Sequence, residues 1–382
     1  MPFFRQDSRR LHIAAAAGRL AAVIALLLLP ACAASSSGTK PVIKIGLAAP
    51  FEGLGRPLGY DSLNGAKLAI AECNANGGVA GYMVELVALD HGDDPRQAQA
   101  QAAELAADHD VLAAIAGWSQ PTAAAEIPIY RELGLPVVIA WTVSPDLAAA
   151  DDGIVSIAAD SATTALQLAK EVAVDTEVLV IAEDQTAFPY RQVLANGHFF
   201  PPPTSWTQAN ADAWAEDLLA NFDPPPQSLL LATTGARAGQ VLDTLWRAGW
   251  QGQVFVSPDA GSPLLPDIAK ESANGVLTAS PAPAGMDLPL TGELATDAAG
   301  LGTRGVMAYD ATQLLLLAIE SAARETGKPN RQSVMARLPQ VRSRGLTGEI
   351  FLRDGVRQSP PIWLYQLEAG QYPGRLLKEI RP

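Results

Sequence analysis

The 382-residue sequence contains few of the side chains that build metal and redox centres. It has two cysteines, Cys32 and Cys73, and four histidines. No two histidines have the spacing of metal ligands on a helix, and no cysteine pair supports a zinc site. A Gly-x-Ser-x-Gly nucleophile elbow and a phosphate-binding loop that ends in Gly-Lys-Ser/Thr are also missing. We therefore predict that the protein is not an enzyme and that it has no cofactor and no bound metal.

The first 31 residues have the order of charge and hydrophobicity of a secretory signal. Four arginines, Arg5, Arg9, Arg10 and Arg19, precede the apolar run 20–29. This run is too short to span a bilayer, because a spanning helix needs about 20 residues. It ends at Leu29-Pro30-Ala31-Cys32, and a stretch that contains serine and glycine follows. The segment resembles the lipobox of bacterial lipoproteins.

The lipobox resemblance implies cleavage before Cys32 and acylation of its thiol and its new amino terminus. Residues 32–40 would then be a flexible leash that tethers the folded part to the extracytoplasmic side of a membrane. An ordinary signal peptide with a chance cysteine is the alternative. With Cys32 acylated, Cys73 has no partner for an intramolecular disulfide, so stability must come from the hydrophobic core.

The charge balance is strongly acidic. The formal net charge of the chain is -13. Residues 1–31 contain four arginines and one aspartate, so their removal leaves a net charge of -16. Such a surface repels nucleic acid and anionic lipid, and no nucleic-acid partner is expected.

Short apolar runs alternate with Ala- and Leu-rich segments of helical spacing, which is typical of a parallel sheet wound with helices. The predicted strands are 42–48, 84–89, 111–116, 136–140, 178–181, 228–231 and 254–256. The predicted helices are 63–74, 96–108, 122–133, 163–174 and 239–247. The alternation breaks near 155–161 and again near 275–283, and the chain length favours two domains. These features predict two α/β lobes with crossings between them.

A series of short motifs extends over nearly the whole chain after the leader. They are Lys44 to Pro50, Leu63 to Ala66, Asn74 to Gly78, Asp90 to Pro95, Ser144 to Leu147, Ser257 to Asp259, Ala308 to Ala311 and Leu346 to Gly348. In this order they resemble the type I periplasmic binding proteins, most closely the leucine/isoleucine/valine-binding group of ABC transporters.

The family resemblance implies two Rossmann-like lobes, with parallel sheets flanked by helices, that are joined by three hinge crossovers. In this Venus-flytrap architecture the ligand lies in the cleft between the lobes and is enclosed by hinge closure. The expected bounds are 41–158 plus 281–356 for lobe 1 and 159–280 plus 357–382 for lobe 2.

The resemblance also implies a function. We expect a monomeric, extracytoplasmic solute-binding lipoprotein that delivers an amino acid or a similar small polar solute to an ABC permease. A ligand-sensing lipoprotein that presents its closed form to a signalling receptor is the alternative, since it would use the same closure. An enzyme on the same fold is a third hypothesis, which the missing catalytic motifs disfavour.

The loops that follow the strands hold the candidate ligand contacts, because ligands of open α/β sheets lie beyond the carboxyl ends of the strands. After the third strand, the segment from Trp118 to Thr122 opens a helix whose free N–H groups and positive dipole end can bind a carboxylate. Ser119 or Thr122 can add a hydroxyl donor. Simple N-capping of the helix is the alternative.

Two more candidates follow the fourth strand. Amino-acid-binding relatives usually carry a threonine where Val143 falls, so the hydroxyl of Thr142 stands one position early. Trp141, together with Trp118, could form an aromatic wall for an apolar or cationic part of the ligand. Packing between loop and helix is the alternative for either tryptophan.

The second lobe supplies the remaining candidates. Asp259 falls where the family holds the ligand ammonium with a carboxylate, and an exposed capping aspartate is the alternative. Phe188 falls where a tyrosine commonly stacks on the ligand and would offer shape without a hydroxyl. Thr233 and Thr234 follow the strand 228–231 and are expected to end near the cleft.

The loop 51–59 contains three glycines ahead of a helix, but the third is one residue too far along for a dinucleotide-binding fingerprint. In the family this loop rims the cleft, which would bring Arg56 or Leu58 near the ligand.

His91 lies in an aspartate-rich segment with Asp90, Asp93 and Asp94. This grouping could indicate acid–base chemistry or a metal. Its position in the family's aspartate-rich loop predicts a solvated surface turn instead.

Overall fold

The computed structural model describes residues 40–172, 177–368 and 370–381. The predicted signal, Cys32 and the leash up to residue 39 lie outside the described residues. Within the described ranges, no helix combines the length and the apolar character that crossing a bilayer requires.

Fifteen strands are present in the described residues. In chain order they are β1 (Val42–Ala49), β2 (Met83–Asp90), β3 (Val111–Ala116), β4 (Val137–Ile139), β5 (Ile154–Ser156), β6 (Val178–Ala182), β7 (Gly197–Phe200), β8 (Ser228–Ala232), β9 (Gln253–Val256), β10 (Leu277–Ser280), β11 (Arg342–Gly345), β12 (Gly348–Arg353), β13 (Val356–Arg357), β14 (Ile362–Glu368) and β15 (Gln371–Ile380).

Eleven α-helices connect these strands in the same ranges. They are α1 (Arg56–Ala75), α2 (Pro95–Ala107), α3 (Gln120–Glu132), α4 (Ser161–Val172), α5 (Asp184–Val193), α6 (Gln208–Ala220), α7 (Gly235–Arg247), α8 (Leu264–Ala269), α9 (Glu293–Ala298), α10 (Thr303–Thr326) and α11 (Arg331–Arg337). Single 3₁₀ turns cover Gly53–Gly55, Pro145–Leu147, Ala150–Asp152, Lys270–Ala273, Gly285–Asp287 and Leu338–Gln340.

The strands form two sheets, each parallel at its centre. The first has the order β11-β12-β13-β5-β4-β3-β1-β2, and the second has the order β15-β14-β10-β9-β8-β6-β7. Among the described strands, the antiparallel pairs lie where the later segments β11–β13 and β14–β15 add to the edges of these sheets. The chain passes between the sheets three times, after β5, after β10 and after β13. This confirms the predicted fold class of two α/β lobes joined by three crossovers.

Burial explains why some strands could be predicted from the sequence and others could not. β3 occupies the predicted range and all six of its residues are buried, because a strand covered by helices on both faces is apolar throughout. The short strands β5, β7 and β10 were not predicted. The expected break near 155–161 begins inside β5, so the first sheet gains one more strand before the chain leaves it.

The predicted loop 51–59 is shorter than expected, because α1 begins at Arg56 and Gly59 lies inside the helix. A Cβ atom on Gly59 would stand 1.9 Å from the carbonyl oxygen of Pro50. The glycine therefore serves close packing of the helix against the end of β1 and is not part of a ligand loop.

Helix α10 packs along α1 over one face of the first sheet, with Leu47, Ala66 and Leu314 in the same apolar cluster. Its amino terminus is fixed by Asp61, whose Oδ1 accepts from the Gly302 N–H at 2.7 Å. The Oδ2 atom of Asp61 accepts from the Gly305 N–H at 2.8 Å. The first turn of α10 is thus held in place where it points toward the cleft.

Candidate functional site

A cavity of about 400 Å³ lies between the two lobes. The first lobe lines it with Pro50, Leu54, Gly55, Leu58, Gly92, Asp93, Trp118, Ser119, Pro121 and Arg304. The second lobe lines it with Glu183, Thr186, Thr233, Thr234, Gly235, Ala236, Asp259, Ser262 and Leu264. Most of these residues directly follow a strand, so the parallel sheets bring them to one place through their carboxyl ends.

A smaller cavity of about 90 Å³ adjoins the main one. The two share Thr186 and Asp259 in their walls. Thr142, Phe188 and Tyr190 contribute to the smaller cavity. The side chain of Asp259 therefore faces both spaces.

Arg304 is the only basic side chain among the described residues that line the main cavity. It is 4% exposed, and its Nη1 donates to the Trp118 carbonyl at 2.6 Å. Its Nε is buried without a hydrogen-bond partner. Burial lowers the pKa of the guanidinium, whereas Tyr372, Asp259 and Asp93 raise it. Because an arginine side chain keeps its proton even when buried, the cavity contains a cation.

Asp259 presents a carboxylate to the same cavity. Its Oδ1 is buried and has no hydrogen-bond partner. Burial raises the pKa of Asp259 to about 7, while the nearby Arg304 lowers it and Asp93 raises it. A carboxylate so placed gains from an incoming ammonium group, which would restore its charged form.

Trp118 and Ser119 line the main cavity on the side of the first lobe. The indole Nε1 of Trp118 is buried without a partner, and the residue is 1% exposed. The hydroxyl of Ser119 donates to Asp93 Oδ1 at 2.9 Å and lies 2.9 Å from the hydroxyl of Thr122. Ser119 is the N-cap residue of α3, but its side chain makes no capping hydrogen bond.

Two other predicted residues line neither cavity. Thr122 is fully buried behind Ser119. Trp141 is also fully buried, and its ring is covered by Arg304. Thr234 lines the main cavity and also caps α7, accepting from the Arg237 N–H at 3.4 Å.

The smaller cavity receives the remaining two candidates. Thr142 is 5% exposed and its hydroxyl has no partner. Phe188 is 65% exposed at the cavity edge. Of the residues expected near the ligand, the main cavity is lined by Leu58, Trp118, Ser119, Thr233, Thr234 and Asp259, whereas Arg56 lines neither cavity.

Sequence patterns missed Arg304, Asp93 and Glu183. Arg304 lies in the first turn of α10, far along the chain, and no local pattern distinguishes it from a surface arginine. Asp93 follows β2 and Glu183 follows β6. Their positions after predicted strands were the one signal that could have identified them.

Glu126 is a second buried carboxyl group behind the site. Its Oε1 accepts from the Gly117 N–H at 2.9 Å, which fixes the loop that carries Trp118. Burial raises the pKa of Glu126 to about 8, and the hydrogen bond from Gly117 opposes this shift. The hydroxyl of Tyr130, one turn further along α3, is also buried without a partner.

The expectation that His91 lies in a solvated turn was wrong. The side chain is fully buried, and its Nδ1 accepts from the Asp93 N–H at 3.1 Å. Burial lowers the pKa of His91, which favours the neutral ring that can accept this bond. The histidine shapes the turn that presents Asp93 to the cavity. In the described ranges, no group of three or more His, Cys, Asp or Glu residues could hold a metal ion.

Comparisons with known proteins test the family resemblance and the fold. A family model described as a periplasmic binding protein matches residues 42–371. No curated protein matches the chain significantly.

Three similar solved structures are solute-binding proteins. One is the branched-chain amino acid transporter substrate-binding protein of Streptococcus pneumoniae in complex with isoleucine, with a TM-score of 0.74, 17% identity and coverage of 89% of this chain and 100% of that chain. The leucine-binding protein of Thermotoga maritima has a TM-score of 0.74 and 18% identity, and the match covers 89% of this chain and 99% of that chain. A solute-binding protein of an ABC transporter from Rhodopseudomonas palustris, in complex with 4-hydroxybenzoate, has a TM-score of 0.69 and 17% identity over 89% of this chain and 96% of that chain. The matched family and these structures are solute-binding proteins and not enzymes.

Proposed function

The chain belongs to the periplasmic binding protein family, as its motifs predict, and we propose that it is the solute-binding component of an ABC importer. In this role it binds an amino acid or a similar small polar solute outside the cytoplasm and delivers it, as a monomer, to a membrane permease. The similar structures with bound isoleucine or 4-hydroxybenzoate support a small carboxylate-bearing solute.

The observation that carries this proposal is a pair of opposite charges in one cavity. Arg304 comes from the first lobe and Asp259 from the second. A guanidinium matches the geometry of a carboxylate, and a buried aspartate matches an ammonium group. An α-amino acid carries both groups on one carbon, so it can pair with both lobes at once.

Simultaneous pairing supplies a mechanism for closure. A ligand shifts the equilibrium between open and closed lobes only through contacts that differ between the two states. In the proposed cycle, Trp118, Ser119 and Arg304 bind the solute from the first lobe, and Asp259 and Thr234 complete the site from the second. Thr142 and Phe188 would then contact the part of the solute that enters the smaller cavity.

We further propose that Cys32 carries lipid and anchors the protein to the outer face of a membrane. Labelling of cells with a radioactive fatty acid should mark the wild-type chain and not the Cys32→Ala variant. Secretion of an unlabelled wild-type protein into the soluble fraction would contradict the anchor and leave the solute-binding role intact.

The binding role is tested by a thermal-shift screen of ligand-free protein against amino acids, amides, polyamines and small aromatic acids. At 100 times its Kd, a ligand should add about 2.7 kcal/mol to the free energy of unfolding. The Asp259→Asn variant should lose affinity for an amino acid but not for its analogue without the amino group. Absence of any ligand in all four classes would overturn the proposed function.

A further inference from the structure

The main cavity has more acidic than basic side chains. Asp93, Glu183 and Asp259 line it, against Arg304 alone among the described basic residues. The ion pairs within 4.0 Å in the described part of the chain do not include any of these four residues. Arg304 interacts electrostatically with Asp259 and Asp93, but it is one cation facing three acidic side chains of the cavity.

Several residues that line the cavity have buried polar atoms without a hydrogen-bond partner. The Nε of Arg304 and the hydroxyl of Ser262 are buried without partners, and these residues are only 4% and 2% exposed. The Oδ1 of Asp259 is likewise unpartnered. Unpaired buried polar atoms cost free energy, which a ligand that supplies hydrogen bonds recovers.

An α-amino acid uses only two of the four charges. Its carboxylate pairs with Arg304 and its ammonium group with Asp259. This leaves Asp93, held by Ser119 on the first lobe, and Glu183, whose Oε1 accepts from the Thr233 hydroxyl at 3.3 Å on the second lobe. Closing the cleft on a neutral side chain would bring both carboxylates into a space of lower dielectric, where Arg304, already paired with the ligand carboxylate, is the single lining cation among the described residues.

We infer that the solute carries a second cationic group and has a net positive charge, so that it belongs to the dibasic amino acids. The α-groups bind between Arg304 and Asp259, and the side-chain cation lies between Asp93 and Glu183. The apolar side chains of Leu54 and Leu58 cover the methylene groups between the two ends. This inference rests on the proposed function, since it specifies the solute of the same cavity.

The test is calorimetric titration of ligand-free, full-length protein with a matched set of ligands. Lysine and ornithine carry the second cation, norleucine has a similar chain without it, and glutamine is polar and neutral. 4-Hydroxybenzoate represents a monoanion. We expect lysine or ornithine to bind at least tenfold more tightly than norleucine, with an advantage that shrinks as salt rises because charge pairing is screened.

Variants of the two unused carboxylates locate the effect. Asp93→Asn and Glu183→Gln should each lower affinity for the dibasic ligand at least threefold more than they lower affinity for norleucine. Asp184→Asn is the matched control, because Asp184 is the next acidic residue along the chain and does not line either cavity. It should bind all ligands as the wild type does.

The outcomes separate the two proposals. Norleucine or 4-hydroxybenzoate binding as tightly as lysine would overturn the dibasic assignment and leave the solute-binding function standing. Equal loss of all ligands in Glu183→Gln would also overturn it, since the effect would not depend on the second cation. If no ligand binds, the proposed function fails, and the inference fails with it.

Discussion

The guanidinium carbon of Arg304 lies 4.1 Å from the centroid of the Trp141 indole ring. Trp141 is fully buried and Arg304 stands between it and the cavity. The two tryptophans predicted to share one wall thus have different positions. Trp118 faces the cavity, whereas Trp141 supports the cation that faces it.

Replacing Arg304 by lysine should weaken solute binding at least tenfold. The guanidinium stacks on a ring and donates to a carbonyl while offering further N–H groups to the cavity, and an ammonium group cannot do all three. Titration calorimetry with the solute found in the screen measures the change. Arg56→Lys is the control, because Arg56 also lies over a ring, that of Tyr60 at 5.3 Å, outside both cavities. Unchanged affinity in Arg304→Lys would remove Arg304 from the site.

Changing Trp141 should lower both stability and affinity. Trp141→Leu leaves a cavity and removes the cation–π contact, and we expect a loss of about 3 kcal/mol in the free energy of unfolding. Trp141→Phe keeps an aromatic face and should lose less stability and less affinity than Trp141→Leu. Urea unfolding and titration of each variant provide the measurements. Wild-type affinity in Trp141→Leu would show that Arg304 needs no support from the ring.

The affinity for an amino acid should rise with pH between pH 6 and pH 8. The pKa of Asp259 is raised to about 7, mainly by burial, and only the charged form pairs with an ammonium group. Loss of one proton with this pKa predicts a rise of about tenfold over the two pH units. Asp259→Asn should bind weakly with no such slope. A flat profile in the wild type would mean that Asp259 stays charged before the solute arrives.

Glu126 should make the protein less stable as pH rises. Its pKa is raised from 4.5 to about 8 by burial, so the folded state keeps a proton that the unfolded chain releases. The stabilising contribution of this group is fully present below pH 4.5 and is lost as pH rises through about 8. Glu126→Gln keeps an acceptor for the Gly117 N–H and should flatten this decline. Urea unfolding from pH 5 to pH 9 tests it, and parallel curves for the two proteins would contradict it.

Gly65 is required by the close approach of α1 and α10. A Cβ at this position would stand 1.8 Å from the carbonyl oxygen of Gly305. Gly65→Ala should therefore cost about 2 kcal/mol or more in the free energy of unfolding, because backbone must move. Gly300→Ala is the control, since its Cβ would meet no atom within 4 Å. Equal melting temperatures for the two variants would contradict the packing argument.

Much of the fold could be predicted because its central strands are short, continuous apolar runs. β1, β3 and β6 were identified from composition, and helix spacing between them indicated parallel connections. The edges could not be predicted in the same way. β15 has only half-buried or exposed residues and pairs with β14, so its position depends on a partner that local sequence does not specify.

The candidate site shows the same division. Loops after predicted strands indicated Trp118, Ser119 and Asp259, and the structure brings all three to the main cavity. Arg304 could not be found this way, because it reaches the site only through the packing of α10 on α1 and the capping of α10 by Asp61. Residues 304 and 118 are far apart in the chain, yet the hydrogen bond from Arg304 to the Trp118 carbonyl holds the guanidinium in the site.

The sequence by itself determined the family, the two-lobed α/β class and the strand ends at which ligands bind, because these depend on local apolar runs and on motifs in a fixed order. Tertiary structure alone decided which charges meet. Burial set the pKa of Asp259 and Glu126, enclosed His91, and placed Trp141 behind Arg304. Burial and long-range contacts are properties of the packed chain, and no single segment carries them.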